Sequence, residues 1–437
     1  MNIILLSGGS GKRLWPLSND IRSKQFIKMF KNAEGKYESM LERMYGSIKK
    51  IDCNARIIIA TSQSQVPSIR NQVGNEVNIS VEPCRRDTFP AIALAAVYLQ
   101  DVLGINEEES VVVCPVDPYV KDDYFEALKK LDELVSSDRA KMVLMGMEPT
   151  YPSEKYGYII PESKNNVSDV VTFKEKPDVE AAKKYIEQGA LWNGGVFAYK
   201  LRYMIKKAHE LIDFEDYADL FSKYETLPKI SFDYEVVEKE TDIAVMRFAG
   251  EWKDLGTWNT LTEAMEENTI GDVILSDDCD NVHVINNLGM PILVMGMKDA
   301  VVSACPDGII VSDKRMSSYI KPYVDKLDNE IRVADKRWGN YLVLDADDKG
   351  MTVRISMKAG ESISYHCHEH RDEVWVVISG QGKTTVDGIE QMISTGDVIT
   401  MQAGCRHSVK AITDLYMIEI QLGNAIEKSD IKKFSED

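Results

Sequence analysis

The sequence lacks long hydrophobic runs and paired cysteines. No stretch approaches about eighteen unbroken apolar residues. The apolar start is cut off by glycines and by Lys12 and Arg13, with no small-residue cleavage site behind it. The seven cysteines are scattered, odd in number and free of C-x-x-C pairs, which is typical of a reducing compartment. We therefore expect a cytoplasmic protein without a membrane span or a secretory signal.

Basic side chains are in the minority. The 437 residues carry 52 Lys and Arg against 70 Asp and Glu, a net charge of −18, which repels a phosphate backbone. We expect no nucleic-acid partner, although small anions can still bind at local basic clusters. The chain exceeds what one core usually supports, so two or three domains are expected.

Short β-branched runs alternate with helical patterns over the first 265 residues. The runs NIILLS, ARIIIAT, SVVVCPVD and KMVLMGM are interspersed with helical patterns that include those near 39–50 and 88–103. Strands that alternate with helices indicate a mostly parallel sheet covered on both faces. We predict an α/β domain over residues 1–265.

The pattern changes twice after residue 265. Runs such as VHVINN and GIIVSD, with glycine and aspartate turns, predict a small β-rich connector over residues 266–335. From Trp338 onward, strand-like runs follow one another closely, with a hairpin signal at Asp387 and Gly388. We predict an all-β sandwich or barrel over residues 336–437.

A glycine-rich loop follows the first strand. Gly8, Gly9 and Gly11 let the backbone turn N–H groups toward an anion, and Lys12 and Arg13 supply charged donors. The spacing is not that of a Walker A sequence. Glycines alone would also fit a plain turn between a strand and a helix.

The ordered motifs resemble the sugar-1-phosphate nucleotidyltransferases, among them the bacterial mannose-1-phosphate guanylyltransferases. The resemblance covers most of residues 3–260 and rests on several segments in the expected order. These are GGSGKRLWPLS (8–18), SKQF (23–26), VEPCRRDTFPAIALAA (81–96), VVVCPVD (111–117), MEPTYPSEKYGYI (147–159), FKEKPD (173–178), LWNGGVF (191–197), SFDYEVVEK (231–239) and WKDLGTW (252–258).

The resemblance implies a Rossmann-like fold and a role for each matched residue. It assigns nucleotide binding to Leu6, Ser7, Gly8, Gly9, Gly11, Lys12, Glu82, Pro83, Arg86, Asp87 and Thr88. It assigns sugar-phosphate binding to Gly157, Glu175, Lys176 and Asn193. Catalysis falls to Arg13, Lys24, Asp117 and Asp254, with the two aspartates as ligands of Mg²⁺.

This chemistry agrees with the residue types. Nucleotidyl transfer needs an acceptor phosphate in line with the α-phosphorus and cations around the developing charge, and it needs no protein nucleophile. Asp117 ends an apolar strand and Asp254 lies in a short polar turn, so both suit Mg²⁺ binding. Each alone has a rival explanation, because an aspartate at a strand end often only caps a turn.

Four positions depart from the guanylyltransferase pattern. Arg85, Asp87 and Phe89 stand where glycine, asparagine and a small residue are common, and Ser23 stands where proline is common. The first three belong to the segment expected to face the base. The resemblance as a whole makes GTP and mannose 1-phosphate the leading substrates. Because of these departures, another base or another sugar phosphate stays open.

Four of the six histidines lie in the last part of the chain. His366 and His368 are two apart and so share one face of a strand, Glu373 follows on the next strand, and His407 comes from a later one. Three imidazoles and a carboxylate suit a first-row divalent metal such as Zn, Mn, Fe or Ni. Solvated histidines, or His370 in place of His366, are the alternatives.

The spacing of these histidines resembles that of the metal-binding residues in cupins, which have a jelly-roll fold. The tail also resembles a phosphomannose isomerase domain, through RWGNY (337–341), HEHRDEVWVVISG (368–380) and IEIQLG (418–423). His366, Gln402 and Ser408 replace the usual glutamine, proline and arginine. Isomerase activity, another phosphosugar reaction and a binding role all stay open.

The leading hypothesis is Mg²⁺-dependent transfer of a nucleotidyl group to a sugar 1-phosphate, with release of pyrophosphate, in polysaccharide precursor synthesis. A module that senses nucleotides or sugars is the non-enzymatic rival. The sequence leaves a homo-oligomer open.

Overall fold

The chain divides into two compact units. The computed structural model describes residues 1–9, 12–19, 22–327, 331–423, 426 and 430–434, with only the backbone of Lys12. The first unit takes in residues 1–9, 25–256 and 263–265, and the second takes in residues 10–24, 257–262 and 266–437. The boundaries predicted at 265 and 335 stay predictions.

The first unit combines seven α-helices with a large sheet. Its strands, among the residues described, are β1 (Asn2–Leu6), β2 (Phe30–Lys31), β3 (Tyr37–Glu38), β4 (Arg56–Ser62), β5 (Asn78–Glu82), β6 (Ser110–Pro115), β7 (Pro118–Val120), β8 (Met142–Met147), β9 (Tyr158–Pro161), β10 (Val167–Lys174), β11 (Leu191–Lys200), β12 (Ile243–Phe248) and β13 (Trp252–Asp254). Its helices are α1 (Met40–Ile51), α2 (Val66–Val73), α3 (Thr88–Val97), α4 (Asp122–Ser136), α5 (Val179–Glu187), α6 (Leu201–Leu211) and α7 (Tyr217–Lys223).

The sheet of the first unit has nine strands in the order β5-β4-β1-β6-β11-β8-β12-β10-β9. Strands β5, β4, β1 and β6 are parallel neighbours, and β11 is antiparallel to β6 and to β8. Apolar clusters pack on both faces of this sheet. Strands buried on two faces show continuous apolar runs instead of alternation, which explains sequences such as NIILL. The predicted mostly parallel α/β architecture is confirmed.

The second unit is built mainly of strands. Those described are β14 (Thr269–Ile270), β15 (Val273–Leu275), β16 (His283–Asn286), β17 (Ile292–Val294), β18 (Ala300–Cys305), β19 (Gly308–Asp313), β20 (Val333–Lys336), β21 (Gly339–Ala346), β22 (Gly350–Met357), β23 (Ser362–Cys367), β24 (Asp372–Ser379), β25 (Gln381–Val386), β26 (Ile389–Ser394), β27 (Val398–Met401), β28 (His407–Ala411), β29 (Leu415–Leu422) and β30 (Lys432–Lys433). Two short helices are α8 (Trp258–Thr262) and α9 (Lys321–Val324).

The last hundred residues form two antiparallel sheets. One has the order β20-β21-β22-β29-β24-β27 and the other β26-β25-β28-β23-β30. A buried apolar cluster that includes Trp375 and Met417 draws on strands of both sheets. The predicted hairpin is present, because Asp387 and Gly388 have positive φ and Val386 pairs with Ile389. The predicted all-β C-terminal domain is thus confirmed.

Across the residues described, no helix is both long and apolar enough to cross a membrane.

Candidate active site and candidate metal centre

The loop after β1 is open where the glycines stand. Gly8 and Gly9 have no heavy atom within 4 Å of the position a Cβ would take, and Gly9 has a φ of +124°, in the region that favours glycine. The preceding Ser7 is buried, and its Oγ accepts a hydrogen bond from Gln25 Nε2 at 3.2 Å. Gly11 lies outside the described residues, as does the side chain of Lys12.

The predicted nucleotide segment approaches this loop. Arg85 Nη2 donates a hydrogen bond to the carbonyl of Gly9 at 3.2 Å. Asp87 is the N-cap of α3 and its carboxylate accepts from the amide of Thr88 at 2.8 Å. Asp87 holds φ 70° and ψ −175°, a conformation nearly restricted to glycine, and such strain clusters at ligand sites. Two of the positions that depart from the family pattern therefore shape this end of the sheet.

A second segment braces the nucleotide segment, and sequence reasoning missed it. Glu82 Oε2 accepts a hydrogen bond from the Tyr224 hydroxyl at 2.7 Å, and burial raises the pKa of Glu82. Thr88 Oγ1 accepts from the amide of Phe232 at 2.8 Å, and Arg86 Nη2 donates to a carbonyl near Tyr224, that of Glu225. Glu82, Arg86 and Thr88 are therefore held in place by hydrogen bonds to residues 224–232.

Pro83, also predicted to bind nucleotide, lies between β5 and α3 and is half-buried.

The two predicted magnesium ligands come from one small ribbon. Strand β13 pairs with β7 in a register that sets Asp254 opposite Pro118, the residue after Asp117. A Cβ at Gly256 would lie 3.1 Å from both carboxylate oxygens of Asp254, so glycine leaves this carboxylate room. Carboxylate oxygens are the ligands Mg²⁺ prefers, and this donor set fits the ion.

The two predicted catalytic cations belong to the second unit. Arg13 is exposed in a 3₁₀ turn over Lys12–Leu14, and Lys24 begins another turn over Lys24–Phe26. Their meeting with Asp117 and Asp254 around one triphosphate stays a prediction.

The structure brings the four predicted sugar-phosphate residues together. Lys176 Nζ lies 2.5 Å from Glu175 Oε1. The amide of Asn193 donates to the carbonyl of Gly157 at 2.8 Å. A Cβ at Gly157 would lie 2.5 Å from Glu175 Oε2 and 3.3 Å from Asn193 Cβ. Glycine is therefore required so that the Glu175 carboxylate can occupy this place.

Asp233 joins this cluster without having been predicted. Its Oδ1 accepts a hydrogen bond from Asn193 Nδ2 at 2.6 Å. Burial, followed by the charge of Glu175, raises the pKa of Asp233 to about 6. The available signal was the segment SFDYEVVEK, which the resemblance included without giving its aspartate a role.

An aromatic wall links this cluster to the acidic ribbon. The ring of Trp192, beside Asn193 in β11, lies 4.9 Å from that of Tyr156, which lies 5.5 Å from that of Trp252 in β13. Burial, and next the charge of Asp254, raise the pKa of Tyr156. The indole Nε1 atoms of Trp192 and Trp252 are buried without a hydrogen-bond partner. The wall thus presents two unused donors.

A second constellation lies in the C-terminal sandwich. His366, His368, Glu373 and His407 are all buried, and one ligand atom from each lies within 4.8 Å of the others. His366 and His407 face each other across β23 and β28. His370 is exposed and stands outside this set.

The hydrogen bonds of the imidazoles fit a metal. Nδ1 of His366 faces the carbonyl of Ser364 at 2.6 Å, and Nδ1 of His407 faces that of Cys405 at 3.1 Å. Nδ1 of His368 likewise faces a carbonyl, that of Asp430. A carbonyl only accepts, so each Nδ1 carries the proton and each Nε2 has a lone pair, and that of His368 faces Arg371 Nη2 at 3.1 Å.

Charges in this set also favour a cation. Glu373 Oε2 and His407 Nε2 are 3.2 Å apart, yet neither makes a hydrogen bond of good geometry. Burial, and then the neighbouring His407, lower the pKa of His366 to about 4, so the imidazole stays neutral. Burial alone would raise the pKa of Glu373, but His407, His368 and Arg371 together hold it below its usual value. A buried carboxylate beside three imidazoles is the donor set of a divalent metal.

A cavity of about 870 Å³ opens onto this set. Its wall includes Glu419, which accepts a hydrogen bond from Trp375 Nε1 at 3.0 Å. Burial, with the charge of Glu373, raises the pKa of Glu419 to about 7. Arg371 Nε lies 3.0 Å from Glu373 Oε1. The wall of the cavity therefore contains metal ligands, an acidic side chain and cationic side chains.

Two different protein families match the two parts of the chain that contain these sites. The nucleotidyl transferase family model matches residues 2–270, and a model described as mannose-6-phosphate isomerase C-terminal matches residues 325–436. The chain is 28% identical to the mannose-1-phosphate guanylyltransferase of Salmonella montevideo, over 99% of this chain and 98% of that protein. It is also 28% identical to the xanthan biosynthesis protein XanB of Xanthomonas campestris, over 99% and 98% of the two chains.

The crystal structure of mannose-1-phosphate geranyltransferase from Thermus thermophilus aligns with a TM-score of 0.63 and 27% identity, over 75% of this chain and 98% of that one. More than half of this chain matches the first family model. The chain belongs to the nucleotidyl transferase family.

Proposed function

We propose that the protein transfers a guanylyl group from GTP to α-D-mannose 1-phosphate, which yields GDP-mannose and pyrophosphate. The observation that carries the proposal is the cluster of Gly157, Glu175, Lys176 and Asn193, which offers a cation for a phosphate and polar atoms for sugar hydroxyls. The match to a named mannose-1-phosphate guanylyltransferase over nearly the whole of both chains supports it. The likeness to XanB favours a role in polysaccharide precursor synthesis, which we place in the cytoplasm.

Each group of site residues would have a separate role in this reaction. Lys176 would bind the acceptor phosphate, while Glu175 and Asn193 orient the sugar so that a phosphate oxygen faces the α-phosphorus. Arg13 and Lys24 would hold the triphosphate and the departing pyrophosphate with charge-assisted hydrogen bonds. Asp117 and Asp254 would hold Mg²⁺, which supplies charge neutralisation when bound.

A panel of substrates tests this proposal. Purified protein is given each of four nucleoside triphosphates with mannose 1-phosphate or another sugar 1-phosphate, and pyrophosphate release is measured. We expect the highest turnover with GTP and mannose 1-phosphate, and another preferred pair would revise the substrates only. Nucleotide binding without pyrophosphate from any pair would contradict the enzyme and favour a sensing module.

Variants test the assigned residues. Asp254→Asn and Lys24→Met should lower turnover by about 100-fold or more, because charge stabilisation is lost in the transition state. Glu251→Gln and Lys28→Met are matched controls, since Glu251 pairs with Lys121 and Lys28 pairs with Glu42 at 2.7 Å in each case. Full turnover in Asp254→Asn would remove the site assignment.

The C-terminal sandwich favours a second candidate function, a metal-dependent phosphosugar isomerase. The supporting observation is the set of three imidazoles and Glu373, of which His366, His368 and Glu373 line a cavity of about 870 Å³. His366, His368, Glu373 and His407 would hold a first-row divalent metal, which supplies polarisation of a carbonyl when bound.

Metal analysis and one assay test this candidate. The full-length protein should contain about one transition metal, and should interconvert fructose 6-phosphate and mannose 6-phosphate. His407→Ala should lose both properties, whereas His370→Ala, an exposed histidine outside the set, should keep both. Bound metal without interconversion would exclude the isomerase and leave another metal-dependent role.

A further inference from the structure

The C-terminal strand contributes to the cavity of the sandwich. Strand β30 pairs with β23, with Lys433 opposite His366 and Lys432 opposite Cys367. The amide of Phe434 continues this pairing with a hydrogen bond to the carbonyl of Tyr365 at 2.9 Å. Residues 430–434 therefore add an edge strand beside β23, which carries His366 and ends one residue before His368.

The register decides which lysine faces the metal ligands. Residues directly opposite each other in an antiparallel pair project to the same face, so Lys433 shares the face of His366, and it lines the cavity. Lys432 projects to the other face, where its Nζ lies 6.0 Å from the centre of the Phe434 ring. The two neighbouring lysines thus lie on opposite faces of the strand.

Lys433 differs from the other cations of the cavity wall. Lys336 lies over the ring of Tyr341 at 5.3 Å, Arg337 lies 3.7 Å from a Glu361 carboxylate oxygen, and Arg371 binds Glu373. In the part of the chain that the structure describes, the Lys433 side chain makes no hydrogen bond or ion pair. Its ammonium is available to a ligand.

We infer that Lys433 binds the phosphate group of a phosphosugar whose sugar lies toward the metal ligands. This inference rests on the second candidate function. An ammonium gives an anion a charge-assisted hydrogen bond, while a neutral sugar would gain little from it. The strand places this charge on the face of His366, so one ligand can reach both.

Calorimetric titration of the full-length, metal-containing protein with mannose 6-phosphate tests the inference. The parent protein and both variants carry Lys176→Met, so that the sugar-phosphate site of the first unit contributes little to the measured binding. We expect Lys433→Met to weaken binding about tenfold and Lys432→Met to bind like the parent. Affinity for mannose and metal content should stay the same in both variants.

Several results would overturn the inference. Parental affinity in Lys433→Met would make Lys433 an ordinary surface lysine and leave the isomerase candidate standing. No binding of mannose 6-phosphate by the metal-containing parent would remove that candidate, and the inference with it. Inorganic phosphate that binds as tightly as mannose 6-phosphate would replace the phosphosugar by a simple anion.

Discussion

The carboxyl group of Asp233 sits where ionisation is costly. It is only partly exposed, it accepts a hydrogen bond from Asn193, and it interacts electrostatically with Glu175 and Lys176. The pKa rises from 3.8 to about 6 because burial and the Glu175 charge disfavour the ionised form. A native pKa above the unfolded value means that the folded state binds the proton more tightly.

Asp233→Asn should therefore change how stability depends on pH. In the wild type this group stabilises the fold below about pH 4, and the stabilisation is lost as the pH rises through 6. The variant lacks this loss, so its Tm relative to wild type should rise by about 5 °C between pH 4.5 and 7.5. Differential scanning fluorimetry at both values measures this, and an unchanged difference would show that Asp233 titrates normally.

Asp233→Asn also offers a kinetic readout at the residue scale. The amide oxygen introduced by this substitution can still accept the hydrogen bond from Asn193, so we expect the KM for the sugar phosphate to change less than in Asp233→Ala. A positioning role predicts that Asp233→Ala raises this KM while the KM for the nucleotide stays close to wild type. Equal changes in both would indicate a purely structural effect.

Gly157 gives the second prediction at this scale. A Cβ there would lie 2.5 Å from Glu175 Oε2 and 2.8 Å from Phe173 Cζ, so Gly157→Ala must displace the Glu175 carboxylate. We expect kcat/KM for the sugar phosphate to fall at least tenfold, since displaced groups no longer orient the acceptor. Gly46→Ala is the control, because no atom lies within 4 Å of that position and alanine favours the helix α1.

At the scale of elements, the start of α3 combines a cap with strain. Asp87 caps the helix, yet holds φ 70° and ψ −175°. Loss of a cap costs about 1 kcal/mol, and a strained residue costs about 1–3 kcal/mol. Asp87→Ala should lower the stability of the first unit because it keeps the strain without the cap. Asp87→Gly should come close to wild type, since it relieves the strain.

Thermal unfolding of the wild type and of the three Asp87 variants compares these effects. Asp87→Asn, which introduces the residue type common in guanylyltransferases, should match wild type, because asparagine also caps helices and tolerates positive φ. A stable Asp87→Ala would show that the cap of Asp87 contributes little to the stability of this unit.

Elements with strong local signals were predictable from the sequence. Apolar runs such as NIILL and the hairpin at Asp387 and Gly388 specify their own structure, and the structure contains both. The helix predicted over 88–103 is different, because α3 ends at Val97 and a π-helical turn covers Tyr98–Val102. The π-helical turn has only five residues, too few for its different period to show in the hydrophobic pattern.

The same holds for the site residues. Local patterns in the sequence predict some of them, whereas others depend on contacts between distant parts of the chain. The spacing of His366 and His368 reports a shared strand face, so the metal set could be assembled from local patterns. The contacts of Asp430 and Lys433 could not, because both residues lie far along the chain and β30, which contains Lys433, has only two residues. Asp233 escaped for a similar reason, since its partner Asn193 is forty residues away.

At the scale of the whole molecule, the two constellations occupy different units. Asp117, Asp254 and the sugar-phosphate cluster belong to the first unit, whereas the ligand set around His407 belongs to the second. A metal that binds only the folded state stabilises it by about 4 kcal/mol at a thousandfold excess over Kd. Loss of that metal should therefore lower the stability of the second unit.

His407→Ala tests whether the two chemistries are separable. We expect the metal content to fall and one unfolding transition to shift down by several degrees, because Glu373 and two imidazoles keep their buried lone pairs without an ion. Pyrophosphate release with Mg²⁺ present should stay within about twofold of wild type, since none of the residues assigned to that reaction is altered. His370→Ala should leave the metal, the transition and the turnover unchanged. A His407→Ala protein that loses pyrophosphate release while its first transition is intact would show that the metal centre is coupled to nucleotidyl transfer.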